Sequence, residues 1–193
     1  MRVAIYGGSF NPPHVAHAMV ASWVRWTGAA DAVWLVPVFR HAFEDRHGKV
    51  LAPFAMRSAW CRAMCAEIGG AVEVCEIEAE LPVPSYTLDT LQELARRHPE
   101  HRFRLVVGAD VLPQVHAWKG WDQICAGYDP IVVGRVGSPV PGGDVVSFPN
   151  ISSTEIRARL AAGQEVGHLV PASVRRQLLV DAPKAWRPPQ SEG

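Results

Sequence analysis

The segment GGSFNPPHVAH, residues 7–17, brings two glycines, two prolines and two histidines into a single connection. Glycine lets the backbone approach a ligand closely, and proline fixes the path of a loop. His14 and His17 are three residues apart, so a helix would place both imidazoles on one face. An imidazolium is positive and can follow negative charge onto a leaving group, which suits a phosphoryl group in transfer. The segment therefore predicts a phosphate-binding loop rather than an ordinary turn.

Two other interpretations of the histidine pair have less support. A zinc site needs further ligands, and the chain has neither an HExxH motif nor a third ligand near the pair. A pair of core histidines would not explain why they directly follow a glycine-rich, proline-stiffened loop. The glycines match neither the dinucleotide-binding GxGxxG pattern nor the Walker loop, so the segment belongs to neither of those phosphate-binding classes.

A second segment, ISSTEIRARL, carries hydroxyl groups and a guanidinium. Ser152 followed by Glu155 is a capping box, and taken alone this pattern favours a plain helix start. Ser152, Ser153 and Thr154 also bring hydroxyls and free backbone amides to a helix N-terminus, which is a natural anion site. Arg157 follows one turn later and offers a planar fork of donors to a phosphate. Together with the first segment, this one predicts the second half of a phosphate site.

The composition of the whole chain excludes several function classes. Its 193 residues suffice for one domain with a substantial core. The 19 Lys and Arg balance 19 Asp and Glu, which argues against a nucleic-acid binder or a polybasic membrane anchor. The sequence suggests neither a signal peptide nor a transmembrane run. Its 4 cysteines lack CxxC pairing and indicate reduced thiols, so we expect a cytoplasmic protein.

Apolar runs alternate with amphipathic ones along the chain. Strands are predicted at 2–6, 32–38, 72–78, 102–108, 130–135 and 145–149. Helices are predicted at 14–27, 53–68, 85–97 and 153–162, in the two-tryptophan stretch after residue 108, and through SVRRQLLV. This alternation predicts a three-layer, Rossmann-like α/β fold with a mostly parallel sheet. One domain is expected over 1–181, followed by a flexible, proline-rich tail at 182–193.

The candidate ligand-binding segments all follow predicted strands. GGSFNPPH does so, as do GAD at 108–110, GR at 134–135 and NISSTEIR at 150–157. Ligands of parallel sheets bind outside the carboxyl ends of the strands, near a topological switch point. These segments are therefore expected to meet at one edge of the sheet.

Taken together, GGSFNPPHVAH and ISSTEIR resemble the nucleotidylyltransferase superfamily, whose members carry an HxGH signature and a later SSTxIR-type helix start. SYTLDTL at 85–91, GAD, the HAWKGW segment and the strand ending in VVGR are similar to the nicotinate-nucleotide adenylyltransferases, in the right order from residue 1 to about 180. The resemblance implies that a pyridine mononucleotide attacks the α-phosphorus of ATP and that pyrophosphate leaves. With nicotinate mononucleotide the product is deamido-NAD, an intermediate of NAD biosynthesis.

The resemblance also implies roles for individual residues. His14, His17 and Arg157 are the expected catalytic residues, in contact with the ATP phosphates and the departing pyrophosphate. The residues expected to bind ATP are Gly7, Gly8, Ser9, Phe10, Gly108, Asp110, Ser152, Ser153 and Thr154. The residues expected to bind the acceptor are Tyr86, Thr87, Trp118, Arg135 and Lys49. Mg²⁺ is expected to arrive with the triphosphate, and no residue is assigned to a metal site of the protein.

Two departures from the family pattern bear on the substrate. Ala16 stands where HxGH has a glycine, and a glycine there allows close approach of backbone to a ligand. The segment 38–52 replaces an asparagine and a PHK-like turn that help to hold the acceptor. Lys49, with His41 or Arg40, could supply the missing donors, although the charge run EDRHGK alone is typical of a solvated loop.

Several alternatives therefore stay open. The acceptor could be nicotinamide mononucleotide or phosphopantetheine, or the chain could bind nucleotides without catalysis. Trp118 resembles the tryptophan that stacks on the pyridine ring, but most of the 7 tryptophans must be packing residues. Whether the protein acts alone or as a homo-oligomer is also open.

Overall fold

Short apolar runs form the strands of a parallel sheet in the computed structural model, which describes residues 1–40, 50–138 and 146–186. The strands are β1 Arg2–Gly8, β2 Ala32–Pro37, β3 Val72–Val74, β4 Arg102–Gly108, β5 Ile131–Arg135 and β6 Ser147–Phe148. Their order across the sheet is β3-β2-β1-β4-β5-β6, and all neighbours are parallel. Parallel neighbours need crossover connections, which place helices on the two faces of the sheet.

The helices are α1 Val15–Trp26, α2 Phe54–Ile68, α3 Thr87–Arg97, α4 Trp121–Tyr128, α5 Ser153–Ala161 and α6 Ala172–Ala185. Short 3-10 helices cover Ile77–Ala79 and Leu112–Ala117. In α3 the leucines at 88, 91 and 94 recur at helical spacing and are all buried. The predicted three-layer α/β fold with a parallel sheet is confirmed. None of the helices described is long and apolar enough to cross a membrane.

Alternate residues of each strand point to opposite faces of the sheet, so a core forms on either side. One core includes Ala4, Leu35, Val24, Trp60 and Leu178, from β1, β2, α1, α2 and α6. The other core includes Val3, Ile5, Leu105, Leu91 and Ile124, from β1, β4, α3 and α4. Burying one large aliphatic side chain contributes about 1.5–3 kcal/mol. The two cores therefore hold the strand ends, and whatever is built on them, in a fixed arrangement.

The direction in which strands are added reverses beside β1. The chain first places β2 and β3 on one side of β1 and then crosses to β4 on the other side. Gly8 ends β1 and Gly108 ends β4. The GGSFNPPH and GAD segments therefore both begin at the topological switch point, where ligands of such sheets bind.

One predicted strand was too long. The strand predicted over 72–78 ends at Val74, because the chain then turns into a 3-10 helix that buries the Glu78 side chain. The helical stretch predicted after β4 consists of two short helices. Gly120, with a φ of 64°, separates the second 3-10 helix from α4.

The tail predicted at 182–193 begins inside α6, which runs to Ala185, and its flexibility stays a prediction. Trp60 Nε1 donates to Asp181 Oδ2 over 2.9 Å, and the rings of Trp60 and Trp186 have centroids 5.7 Å apart. These contacts hold the end of α6 against α2. Residues 187–193, the rest of the predicted tail, lie outside the described residues.

Candidate active site

A buried amide side chain holds the glycine-rich loop after β1. Asn11 has no exposed surface, and its Nδ2 donates to the Val50 carbonyl over 3.0 Å. Its Oδ1 accepts from the Ala52 backbone N–H at 3.0 Å and from Trp186 Nε1 at 2.9 Å. A buried amide whose oxygen and nitrogen are both satisfied gives the chain around it a defined path. Asn11 thus fastens the loop to the segment before α2 and to the end of α6.

The loop also lies on a buried guanidinium and a buried ring. Arg57 of α2 is 1% exposed and donates to the Ser9 and Ala52 carbonyls, each at 2.9 Å. Phe10 has a φ of 44°, a left-handed conformation that bulky residues rarely adopt. Its buried ring packs edge to face on His17, with centroids 4.9 Å apart. Such backbone strain costs about 1–3 kcal/mol, which this packing must offset.

The second motif reaches the same loop from α5. Ser153 Oγ donates to the Pro12 carbonyl over 2.8 Å. Arg157 Nη1 donates to the Asn11 carbonyl over 2.8 Å, and its Nη2 donates to Thr154 Oγ1 at 3.2 Å. Two motifs separated by up to 146 residues in sequence therefore form one continuous surface.

Ser152 caps α5 as the sequence predicts. Its Oγ accepts from the Glu155 backbone N–H over 3.1 Å. Other amides of the first turn lack intrahelical partners, and the helix dipole gives this end a partial positive charge. The capping interpretation and the anion-binding interpretation are therefore compatible, because the capped end of α5 adjoins the glycine-rich loop.

A cleft of about 100 Å³ lies beside this loop, at the switch point of the sheet. The described residues that line it include His14, Ala16, His17, Gly108, Asp110 and Arg135. Segments that follow β1, β4 and β5 therefore meet here, as the sequence predicts. Ala16 is only 7% exposed, so the methyl group that replaces the family's glycine is accommodated in the lining.

The two histidines stack face to face in the cleft, with ring centroids 3.6 Å apart and planes inclined by 22°. The His14 backbone N–H donates to His17 Nδ1 over 3.1 Å. That nitrogen therefore carries no proton, and neutral His17 bears its proton on Nε2. Burial, together with the charge of Arg135, lowers the pKa of His14 to about 3. Burial, together with the neighbouring His14 and Arg135, lowers the pKa of His17 well below its usual value. Both imidazoles are neutral at pH 7 in this state.

Lowering the pH from about 6.5 toward 3 is expected to destabilise the fold through these histidines. An unfolded histidine takes up its proton at about pH 6.5, whereas the pKa of folded His14 is about 3. Between these values the unfolded state binds more protons, so the free energy of unfolding falls by about 1.4 kcal/mol per pH unit for each such group. Urea unfolding at pH 7, 6 and 5 should give a shallower pH slope for His14→Asn than for the wild type. Equal slopes, or the same change in the exposed control His168→Asn, would contradict this account.

Arg135, at the end of β5, forms an ion pair inside the cleft. Its Nη1 lies 3.0 Å from Asp110 Oδ2, and its Nη2 donates to the Ile151 carbonyl over 2.6 Å. Gly108 leaves room for the carboxylate, since a Cβ at that position would lie 2.4 Å from Asp110 Oδ1. Arg135 lines the same part of the cleft as the two histidines and gives it a positive charge. Its role in binding the acceptor, which the resemblance implies, stays a prediction.

The residues predicted for the pyridine ring form a second group. The Tyr86 ring is 38% exposed and has Lys119 Nζ 5.2 Å from its centroid. Lys119 also pairs with Asp89 of α3 at 2.7 Å, which joins the start of α3 to the turn that carries Trp118. Trp118 is half-buried and meets Trp121 edge to face, with centroids 5.8 Å apart. Trp118 is thus both a packing residue and an accessible one.

Some predicted residues lie elsewhere or outside the described part of the chain. Lys49, and His41 as a predicted source of a further donor, fall outside the described residues, so their roles stay predictions. Thr87 is the first residue of α3, directly after Tyr86. Gly7 is exposed near the end of β1, at the entrance to the loop.

Sequence reasoning passed over two residues that hold the loop. Asn11 belongs to the quoted motif, but asparagine before proline is ordinary turn chemistry and gives no special signal. Arg57 reads as one more polar residue of an amphipathic helix, yet its guanidinium is buried beneath the loop. Neither role has a local pattern, because the partners are far away in sequence.

One cluster among the described residues has metal-ligand chemistry. His98, Glu100 and His101 have ligand atoms within 4.8 Å of one another. They lie in the turn before β4, at the amino end of that strand and so at the opposite edge of the sheet from the cleft. The imidazoles face the Glu100 carboxylate at 3.7 and 3.4 Å and pack against Trp34. This cluster is therefore too far from the cleft to act there.

Known proteins with this arrangement identify the family. Residues 5–159 match the model of the cytidylyltransferase-like family. A protein of Anaeromyxobacter sp. (strain K), named "Probable nicotinate-nucleotide adenylyltransferase", is 51% identical over 178 residues, which cover 90% of this chain and 91% of that protein. The chain belongs to the nicotinate-nucleotide adenylyltransferase family. The resemblance drawn from the motifs is confirmed, and with it the nucleotidyltransferase class of enzyme.

Further relatives agree with this assignment. A Myxococcus xanthus protein with the same name is 41% identical over 172 residues, covering 89% of this chain and 88% of its own length. The structure of Plasmodium falciparum nicotinic acid mononucleotide adenylyltransferase complexed with NaAD aligns with a TM-score of 0.74 at 20% identity, over 93% of this chain and 95% of that one. The relatives support the family, and the solved structure supports the adenylyltransferase fold.

Proposed function

We propose that this adenylyltransferase transfers AMP from ATP to nicotinate mononucleotide, giving deamido-NAD and pyrophosphate in NAD biosynthesis. The observation that carries the proposal is the convergence of two stacked histidines and the Arg157-bearing helix start on one glycine-rich loop. A phosphate oxygen of the acceptor attacks the α-phosphorus of ATP. The bond from that phosphorus to the oxygen bridging the α- and β-phosphates breaks, and its electron pair leaves with pyrophosphate. The protein's task is alignment and charge stabilisation, without a covalent intermediate.

The neutral histidines are suited to this task. His17 can donate from Nε2 to a phosphate oxygen, because its Nδ1 accepts from the His14 backbone. An approaching triphosphate opposes the effect of burial and raises the pKa of both imidazoles. The protonated, positively charged imidazolium can then form as negative charge moves onto the leaving group. Arg157 and the amides at the start of α5 hold the departing pyrophosphate.

The remaining ATP contacts come from the strand ends. The backbone amides of Gly7, Gly8, Ser9 and Phe10 approach the phosphates. Asp110 meets the adenosine ribose, since a carboxylate suits paired hydroxyls, and Gly108 gives it room. Mg²⁺ travels with ATP, where it neutralises charge on the phosphates. Among the described residues that line the cleft, Asp110 is the one carboxylate, and it pairs with Arg135.

Tyr86, Thr87 and Trp118 hold the pyridine ring of the acceptor, with Trp118 stacked on it. The ion pair between Lys119 and Asp89, which joins their two segments, supports this assignment. The names of the relatives support nicotinate mononucleotide as the acceptor. Nicotinamide mononucleotide and phosphopantetheine are the alternative acceptors for the same chemistry. We propose a cytoplasmic setting, in keeping with the free cysteines.

Pyrophosphate release with ATP and Mg²⁺ tests the proposal, with nicotinate mononucleotide, nicotinamide mononucleotide and phosphopantetheine compared side by side. We expect kcat/KM to favour the nicotinate form by about 100-fold or more, because hydrogen-bond donors placed for a carboxylate would meet the N–H groups of the carboxamide, which cannot accept. Preference for another acceptor would support AMP transfer from ATP but contradict nicotinate mononucleotide as the substrate. If none of them gave pyrophosphate release while ATP still raised the thermal stability, the protein would be a nucleotide-binding domain without this activity.

A further inference from the structure

Glu78 is a buried carboxylate that the proposed reaction does not use. It lies in the 3-10 helix after β3 and is 7% exposed. Its Oε2 accepts from the Ser85 hydroxyl, and its Oε1 accepts from the Thr90 hydroxyl over 2.6 Å. A buried carboxylate is costly unless its oxygens receive hydrogen bonds. Here both oxygens receive one.

The two hydroxyl donors flank Tyr86 and Thr87 in sequence. Ser85 immediately precedes Tyr86, and Thr90 lies in the first turn of α3, for which Tyr86 is the N-cap. The Tyr86 carbonyl accepts from the Thr90 backbone N–H at 3.0 Å, with Thr90 Oγ1 3.3 Å away. One carboxylate therefore fixes the backbone on both sides of the residues proposed for the pyridine ring.

The segment held in this way has little other regular structure. Residues 81–86 form neither helix nor strand, so no backbone ladder fixes them. On the exposed side, the Tyr86 ring is covered by Lys119, which reaches across from the turn of Trp118. A continuous set of contacts therefore runs from the buried Glu78, through the segment of Tyr86 and through Lys119, to the turn that carries Trp118.

We infer that Glu78 is a positioning residue for the acceptor, holding Tyr86 and Thr87 in the orientation in which they meet the pyridine ring. The inference rests on the proposed function, because it takes these two residues to contact the acceptor. A carboxylate suits the role because it accepts from two hydroxyls at once. A glutamine of the same size offers one acceptor oxygen and turns N–H groups toward the other hydroxyl.

Steady-state kinetics of Glu78→Gln tests the inference. The KM for nicotinate mononucleotide should rise about tenfold, the equivalent of one lost hydrogen bond, while kcat and the KM for ATP change by less than about twofold. Glu80→Gln is the matched control, because that carboxylate lies two residues away and pairs with Arg97 on the surface. Ser85→Ala and Thr90→Val remove one donor each and should raise the same KM, even if Glu78→Gln fails to fold.

Hydrogen exchange tests whether Glu78 fixes the backbone of this segment, whichever acceptor the enzyme uses. Glu78→Gln should speed amide exchange over residues 81–88 and leave β1 unchanged. Faster exchange with an unaltered acceptor KM would overturn the inference, as would unaltered exchange. If the wild type does not use nicotinate mononucleotide, the proposed function fails by itself. The exchange rates, with the KM for the acceptor that is used, then decide the role of Glu78.

Discussion

Replacing His17 with alanine is expected to slow pyrophosphate release by about 100- to 1,000-fold, the usual cost of removing one donor to developing charge. His17 lines the cleft, and its Nε2 is the nitrogen left for a ligand, because Nδ1 accepts from the His14 N–H. Asn11 holds the loop independently of this ring, so the variant should still fold. Steady-state pyrophosphate release measures the loss. Thermal unfolding with and without ATP should show that nucleotide binding persists.

Two amide variants separate the catalytic role of His17 from a structural one. Glutamine places an N–H donor near the position of the imidazole Nε2, whereas asparagine places an acceptor oxygen near that of Nδ1. His17→Gln should therefore retain more activity than His17→Asn. The reverse order would mean that the bond to His14 is what matters. The exposed His168→Ala serves as a control and should leave turnover unchanged.

Replacing Arg157 with alanine is expected to lower kcat/KM for ATP by about 10- to 150-fold. Its guanidinium is proposed to bind the departing pyrophosphate, and a charge-assisted hydrogen bond of this kind is worth about 1.5–3 kcal/mol. Its Nη1 also donates to the Asn11 carbonyl, so the loop loses a tether at the same time. Kinetics in parallel with urea unfolding separates the two losses.

Arg159 provides the matched control for this experiment. It lies two residues further along α5 and pairs with Glu155 at 2.9 Å. Arg159→Ala should keep kcat/KM within about twofold, in line with the small worth of surface ion pairs. Arg157→Lys restores the charge without the planar fork and should fall between the wild type and Arg157→Ala. If Arg157→Ala behaved like Arg159→Ala, the proposed contact with pyrophosphate would be excluded.

The fold could be predicted from the sequence because its signals are local. A short apolar run such as RVAIY predicts a buried strand, and the leucines at helical spacing in α3 predict an amphipathic helix. The predicted strand over 72–78 was too long because its alternation continues past Val74, although Glu78 is buried for its hydroxyl partners rather than for strand pairing. The overlap of α6 with the predicted tail could not be seen in a local pattern, because it involves the contact of Trp60 with α6.

In the candidate site, only the residues that belong to the two sequence motifs could be predicted. The histidine pair and the α5 start lie where the quoted segments place them, at the edge of the sheet. The side chains that hold those segments were missed. Asn11, Arg57 and Glu78 act through partners distant in sequence or through hydroxyls that any loop contains. The position of Arg135 beside the two histidines depends on strand order, which the sequence does not state.

The hydrogen bond from Trp186 to Asn11 joins residues 175 positions apart, and this has a consequence for biosynthesis. A ribosome adds about 5–20 residues per second, so the glycine-rich loop is synthesised roughly 10–35 seconds before the indole that completes its support. Arg157 also appears late in translation. A nascent chain halted before α6 therefore carries the first motif without the surroundings that shape it. Nucleotide binding should switch on only when translation of the domain is nearly complete.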